Sequence, residues 1–341
     1  MSFSARLVGA FTGPILFALI LTFFHPAGLS PEANAVLAAT AWISVWWITE
    51  ALPIPVTSLV PLVALPALGA MGGKEVAAQY VGDPIFLFLG GFLIAIAIEQ
   101  VGLHKRIALA VIGVVGTGPR MAVLGFMVAA AVLSMWISNT ATALMMLPIA
   151  LAVIRGLTPL MATGKDRRNL AVSLLLGIAY ACSIGGVATP VGTPPNVVFL
   201  GLYEKLHPEL EPIAFSQWML TFLPVTVVML PLAWLLLTRV LFPAHRSEEG
   251  RRGGAAALPK PDGPMTLDQW LVLGVFAAAA LLWMGRRDLE LGALHLPGWS
   301  RLLGPGAEMV TDGTVAIALA AALFLIPSQR TDARALLRWR D

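Results

Sequence analysis

Residues 121–156 read MAVLGFMVAA AVLSMWISNT ATALMMLPIA LAVIRG, thirty-six residues with no charge before Arg155 and with the polar run Ser138-Asn139-Thr140 near the middle. A helix needs about 20 mostly apolar residues to cross a bilayer, so this stretch either crosses once as a long span or enters and leaves on one side. Uncharged polar residues at the midpoint argue for a hairpin whose tip stops within the membrane. The two readings differ in crossing parity, and the Lys and Arg residues arbitrate between them. If the stretch returns to its own side, loops on the N-terminal side hold 17 of the 22 basic residues. Lys74, Lys205, Arg286, Arg287 and Arg301 then lie opposite. If it crosses once, the split falls to 14 against 8. Positive charge accumulates on the cytoplasmic side, so the sharper asymmetry favours a return to the same side, as a re-entrant hairpin or as two complete spans, with a cytoplasmic N-terminus.

The rest of the chain agrees with a membrane setting. Its 341 residues are 58% hydrophobic and 12% charged, against roughly 45–50% and about 25% in a soluble domain. Residues 33–51, 52–70, 84–103, 169–203, 216–242, 267–285 and 312–327 have the length and polarity of spans or come a little short, and 9–24 is a weaker first candidate. An all-α polytopic membrane protein is therefore expected. Arg6 precedes the first apolar stretch without a clean small-residue cleavage site after it, which reads as a retained anchor. The formal charge of +3 sits in short loops between spans, where it reports topology rather than nucleic-acid binding. Cys182, the only cysteine, has no partner within the chain for a disulfide or a multi-cysteine metal site.

A second irregular place is 187–197, where Pro190, Pro194, Pro195 and Gly192 interrupt an apolar stretch and free carbonyls that a straight helix would use. Freed carbonyls suit a cation such as sodium, and the alternative is a proline kink with no ligand. Ser138-Asn139-Thr140 offers two hydroxyls and an amide at a hairpin tip, where unpaired N–H groups favour an anion. Interhelical hydrogen bonding is the plainer role for such residues. Neither 121–154 nor 169–203 contains Lys, Arg, Asp or Glu. A dianion bound there would draw its counter-charge from mobile cations, which points to cation-coupled symport rather than an arginine-based exchanger.

Other polar residues carry less. His25, His104, His207, His245 and His295 are scattered at span ends and in loops without metal-ligand spacing, and are expected to be solvated or interfacial. The ten Trp residues lie largely near span ends and suit an aromatic belt. Gly113 and Gly116 are assigned to helix packing. No paired base and nucleophile is present to suggest an enzyme. The Gly-, Pro- and charge-rich stretch from Pro243 to Pro264 reads as a cytoplasmic linker.

Four blocks carry a resemblance to a known family. They are Trp47-Ile48-Thr49-Glu50-Ala51-Leu52-Pro53-Ile54-Pro55-Val56-Thr57; Phe86-Leu87-Phe88-Leu89-Gly90-Gly91-Phe92 continuing to Gly102-Leu103-His104; Ser138-Asn139-Thr140-Ala141-Thr142; and Ser183-Ile184-Gly185-Gly186 through Pro194-Pro195-Asn196. On these residues the chain resembles the divalent-anion:sodium symporters, carriers of dicarboxylates, citrate and sulfate. The resemblance implies an elevator-type homodimer of the plasma (inner) membrane that moves a small dianion, with Na⁺ as coupling ion and no organic cofactor. It implies scaffold helices over 1–118, a transport-domain half over 119–242, the linker over 243–265, and scaffold helices opening a second repeat over 266–341. It also implies that Ser138, Asn139, Thr140 and Thr193 contact substrate, and that Ser134, Ser138, Asn139 and the Gly192 carbonyl hold sodium. Thr193 stands where Ser is the more familiar occupant. The family is similar to an inverted repeat with a second Ser-Asn-Thr hairpin. Here one copy is present, so the expectation is an incomplete chain stopping at Ala335-Leu336-Leu337-Arg338-Trp339-Arg340-Asp341.

Overall fold

The computed structural model describes residues 3–115, 118–245, 247, 263–291, 294–330 and 335–338. Most of the expected linker, together with Gly116 and the last three residues, lies outside them. Among the described residues six helices are long and apolar enough to cross a membrane, and the only strands are a short antiparallel pair, β1 Leu289–Leu291 and β2 Leu294–Leu296. The chain divides into two compact units, Met1–Gly82 and Asp83–Asp341.

In the first unit, α1 (Phe3–Phe23) packs along α2 (Pro31–Thr49). The approach is close because Gly9 and Gly13 face Thr49 and the indoles of Trp42 and Trp46, where any Cβ would collide. Ser30 caps α2 by accepting the Ala33 N–H at 3.2 Å, and Pro31 starts the helix where its missing donor costs nothing. The expected span over 52–70 is instead two short helices, α3 (Ile54–Thr57) and α4 (Val60–Ala67), followed by α5 (Gly73–Ala78). Pro61 explains the interruption, since its ring would clash with the carbonyl four residues back, at Thr57.

The second unit opens with α6 (Asp83–Gln100) and α7 (Leu103–Val115), then α8 (Pro119–Ser134) and α9 (Asn139–Leu157), which divide the stretch 121–156 at its polar run. Next come α10 (Gly164–Gly186) and α11 (Pro194–Leu206), the predicted interrupted helix, and α12 (Phe215–Leu235), which runs on as a π-helical turn over Leu236–Leu241. α13 (Leu267–Met284) and α14 (Asp312–Leu325) complete it, with a 3-10 segment at Trp299–Gly306 between them.

Glycine contacts define how these helices run. Gly177 of α10 meets Val123 and Met127 of α8, and Gly185 meets Ala131, so α8 and α10 advance in the same direction. Asn139, at the start of α9, lies against Gly186 at the end of α10, and the end of α9 leads through a short turn into the start of α10. α9 therefore runs against α10, and hence against α8: the pair is an antiparallel hairpin with its tip at 135–138. α12 runs back along α10, with Trp218 at Val187, Thr226 at Ile184 and Trp234 reaching the Arg120 carbonyl. A second close pair is α6 with α14, where Gly90 faces Ala316 and Gly313 faces Asp83.

Several expectations change. His104 is buried, 4% exposed, with Nδ1 3.4 Å from the Ile98 carbonyl, because the turn at Gly102 folds α7 back over the end of α6. Gly113 faces open space, so no helix packs on it among the described residues. Trp218 and Trp283 are buried inside the protein rather than at its margin, and the half-buried Trp136 packs against Trp283. Near the C-terminus, the described residues Ala335–Arg338 form no helix. Ala335 pairs with Pro327, and Leu336 and Leu337 are buried against the end of α14 through hydrogen bonds to Ile326 and Leu323.

Candidate functional site

The hairpin tip rests in the interruption between α10 and α11. Ser138 ends the turn with extended backbone and caps α9, its Oγ accepting the Ala141 N–H at 3.3 Å. Asn139 is the first helical residue. Ser134, fully buried at the end of α8, places its Oγ 2.6 Å from Asn139 Oδ1 and 2.9 Å from the Cys182 carbonyl. One hydroxyl proton can serve only one of those two acceptors. The Ser134 hydroxyl, the Asn139 amide oxygen and the Cys182 carbonyl thus converge inside the protein, an oxygen-rich arrangement of the kind that suits a hard, oxygen-seeking cation.

Two glycines let the oxygens converge. A Cβ on Gly186 would stand 2.5 Å from Asn139 Oδ1, and a Cβ on Gly192 would stand 2.5 Å from the Gly186 carbonyl oxygen and 2.9 Å from that of Ser134. Only residues without a side chain permit this approach. The interruption is held open by donors from other elements. Asn196 Nδ2 donates to the carbonyls of Gly186 and Thr189, both at 2.8 Å, and the Trp218 indole donates to that of Val187 at 2.9 Å. Thr189 Oγ1 donates to the Met135 carbonyl, tying the interruption to the hairpin turn. The carbonyls expected to be free for a cation are therefore mostly taken. The Gly192 carbonyl, in contrast, accepts no hydrogen bond among the described residues.

Of the predicted site residues, the structure gathers Ser134, Asn139 and Gly192 into one cluster, with Ser138 adjoining as the cap. Thr140 is exposed, Thr193 is half-buried at the start of α11, and no hydrogen bond joins either to the cluster among the described residues. Asn196, Thr189, Trp218 and Gly186 were given no individual role from sequence. Asn196 two residues into a helix after paired prolines was the available signal, since a buried amide must find partners.

The helix ends are sorted by polarity. α8 and α10 end here, presenting carbonyl oxygens, while α9 and α11 begin here, presenting N–H groups, so that one cluster offers partial negative charge to a cation and partial positive charge to an anion. A large cavity of the second unit lies elsewhere. It has about 610 Å³, and it is lined by six carboxylates, among them Asp83 and Glu204, against the three guanidiniums of Arg286, Arg287 and Arg301. That excess of negative charge disfavours a dianion, which directs attention to the hairpin tip instead.

Comparisons with known proteins identify the family. The family model described as the sodium:sulfate symporter transmembrane region matches residues 5–341. The chain is similar to sodium-dependent dicarboxylate transporters SdcS of Staphylococcus aureus. For strains bovine RF122 / ET3-1 and USA300 it is 40% identical over 344 residues, covering 99% of this chain and 64% of the relative. For strain MRSA252 it is 40% identical over 342 residues, covering 98% and 63%. The chain thus spans a little under two thirds of the length of these relatives. With a model match across nearly its whole length, the chain belongs to the family of the sodium:sulfate symporter transmembrane region.

Proposed function

We propose that this chain serves sodium-coupled symport of divalent organic anions such as C4-dicarboxylates. Its relatives are named sodium-dependent dicarboxylate transporters, and the family is one of transporters rather than enzymes. The observation that carries the reading is the cluster of oxygens from Ser134, Asn139 and Cys182 beside the Gly192 carbonyl, which accepts no hydrogen bond among the described residues. Sodium would sit among Ser134, Ser138, Asn139 and Gly192. One substrate carboxylate would meet Ser138, Asn139 and Thr140 at the start of α9, with Thr193 at the start of α11 facing the same solute. With Asn139 Oδ1 turned inward the cluster calls for a cation; with Nδ2 inward, the amide would donate to Ser134 and close the cluster by itself. Sodium binding accordingly selects the amide orientation.

In the same reading, 119–242 moves as a transport half against scaffold helices of 1–118 and 266–341 by an elevator mechanism, in a homodimer of the plasma membrane with the N-terminus cytoplasmic. The charge asymmetry of the loops supports that orientation. The test is uptake of labelled succinate into liposomes under an imposed sodium gradient, by this chain and by a version extended to the length of its relatives. Sodium-dependent uptake supports the proposal, and uptake unchanged when choline replaces sodium overturns it. The family description favours one second reading, transport of a sulfate-like oxyanion. Competition by sulfate that exceeds competition by unlabelled succinate would establish it.

A further inference from the structure

One buried ion pair has no part in the site just described. Asp312, 6% exposed, opens α14, and Arg286, 8% exposed, follows the end of α13. Arg286 Nε donates to Oδ1 at 2.5 Å and Nη2 to Oδ2 at 3.0 Å, while Nη1 donates to the Val310 carbonyl at 3.1 Å. The same carboxylate accepts the backbone N–H of Phe215, first residue of α12, at 3.3 Å, and the Asp312 carbonyl accepts the Trp283 indole N–H at 3.0 Å. One carboxylate thus serves the N-terminal ends of two helices, where negative charge is favoured.

From this pair the contacts continue through aromatic rings to the hairpin tip. Phe215 stacks on Trp283 with centroids 5.0 Å apart and on Trp136 at 6.2 Å, and Trp136 meets Phe276 edge-on at 4.9 Å. Trp136 lies in the turn between Ser134 and Ser138.

We propose that Arg286 and Asp312 are positioning residues for the hairpin tip, acting through Phe215 and Trp283 on Trp136 and hence on the Ser134–Asn139 cluster. The pair touches neither ion nor substrate. Desolvation offsets much of a buried pair's attraction, so its contribution is directional: a two-pronged contact that holds Phe215 and Trp283 in one arrangement. The proposal rests on the hairpin tip being the binding site.

Cys182 supplies the probe, because it is the only cysteine, is 1% exposed, and its carbonyl lies 2.9 Å from Ser134 Oγ. Its alkylation by a membrane-permeant maleimide therefore reports separation of the tip from α10. In the full chain reconstituted in liposomes with choline chloride, Asp312→Asn is expected to raise the alkylation rate roughly tenfold by favouring local opening. Asp312→Glu, which keeps the charge, is expected to return the rate toward wild type. Asp268→Asn, which cuts contacts to Ser328 and Gln329 away from the rings, is expected to leave it unchanged. A wild-type rate in Asp312→Asn overturns the proposal, and so does an equal rise in Asp268→Asn. If Asp312→Asn does not insert, Trp283→Phe, which removes the indole N–H that bonds Asp312 and reduces the ring stacked on Phe215, is expected to raise the rate as well, with a wild-type rate again overturning the proposal. Sodium should slow alkylation of the wild type. If it does not, the sodium reading of the tip fails, while the ratio of variant to wild type in choline still decides the positioning role.

Discussion

Ser134 has one proton and faces two acceptors, and this is the smallest feature on which the sodium proposal depends. Asn139→Ala removes one of the oxygens and makes the segment more apolar, so membrane insertion should persist while sodium-dependent uptake by the length-extended protein is lost. Wild-type uptake by that variant would mean the tripeptide only packs helices. Gly192→Ala is a sharper test, because its Cβ would stand 2.5 Å from a backbone carbonyl oxygen that no side-chain rotation can move. Uptake should fall at least as far as with Asn139→Ala. Retention of more than half of wild-type uptake would show that the oxygens do not need to lie so close. That Ser138, Asn139 and Gly192 stand in two uncharged interruptions could be read from the sequence. That Asn196 and Trp218 occupy three of the freed carbonyls could not, because each donor comes from a residue placed only by folding.

Among the elements, α8 and α10 carry the site, and their contact is set by small residues. Gly185 lies against the backbone of Ala131 and Gly177 against Met127. Gly185→Ala should force the helices apart at a cost of about 1–3 kcal/mol, the range of overpacked cores. A lower melting temperature of the solubilised chain would be the measure, and an unchanged one would mean that the hairpin tip is looser than this packing implies. The hairpin and the interrupted helix were visible in the sequence because long uncharged runs with polar or proline-rich centres are difficult to fit to a straight span. The break over 52–70 was also written there, in Pro61, but an apolar run of span length concealed it. The burial of Trp283 departs from the belt expectation for a related reason. A belt residue and a core residue look alike in sequence, and only the rings of Phe215 and Trp136 distinguish them.

For the whole molecule the relevant quantity is charge moved across the bilayer. If the sodium ions outnumber the substrate's charges, each surplus charge contributes about 2.3 kcal/mol per 100 mV, so uptake should accelerate with an inside-negative potential. A voltage-independent rate would mean that charges balance. What the sequence by itself determined was the solvent this protein lives in, the approximate location of its spans and the two places where regular helix fails. Those follow from local composition, because hydrocarbon demands apolar length and internally satisfied backbone. Which carbonyls stay free, which indole supports the hairpin, and which carboxylate holds α12 in place were decided only by tertiary packing. Each depends on residues far apart in the chain, from Ser134 with Cys182 to Phe215 with Asp312, and no local pattern specifies such a meeting.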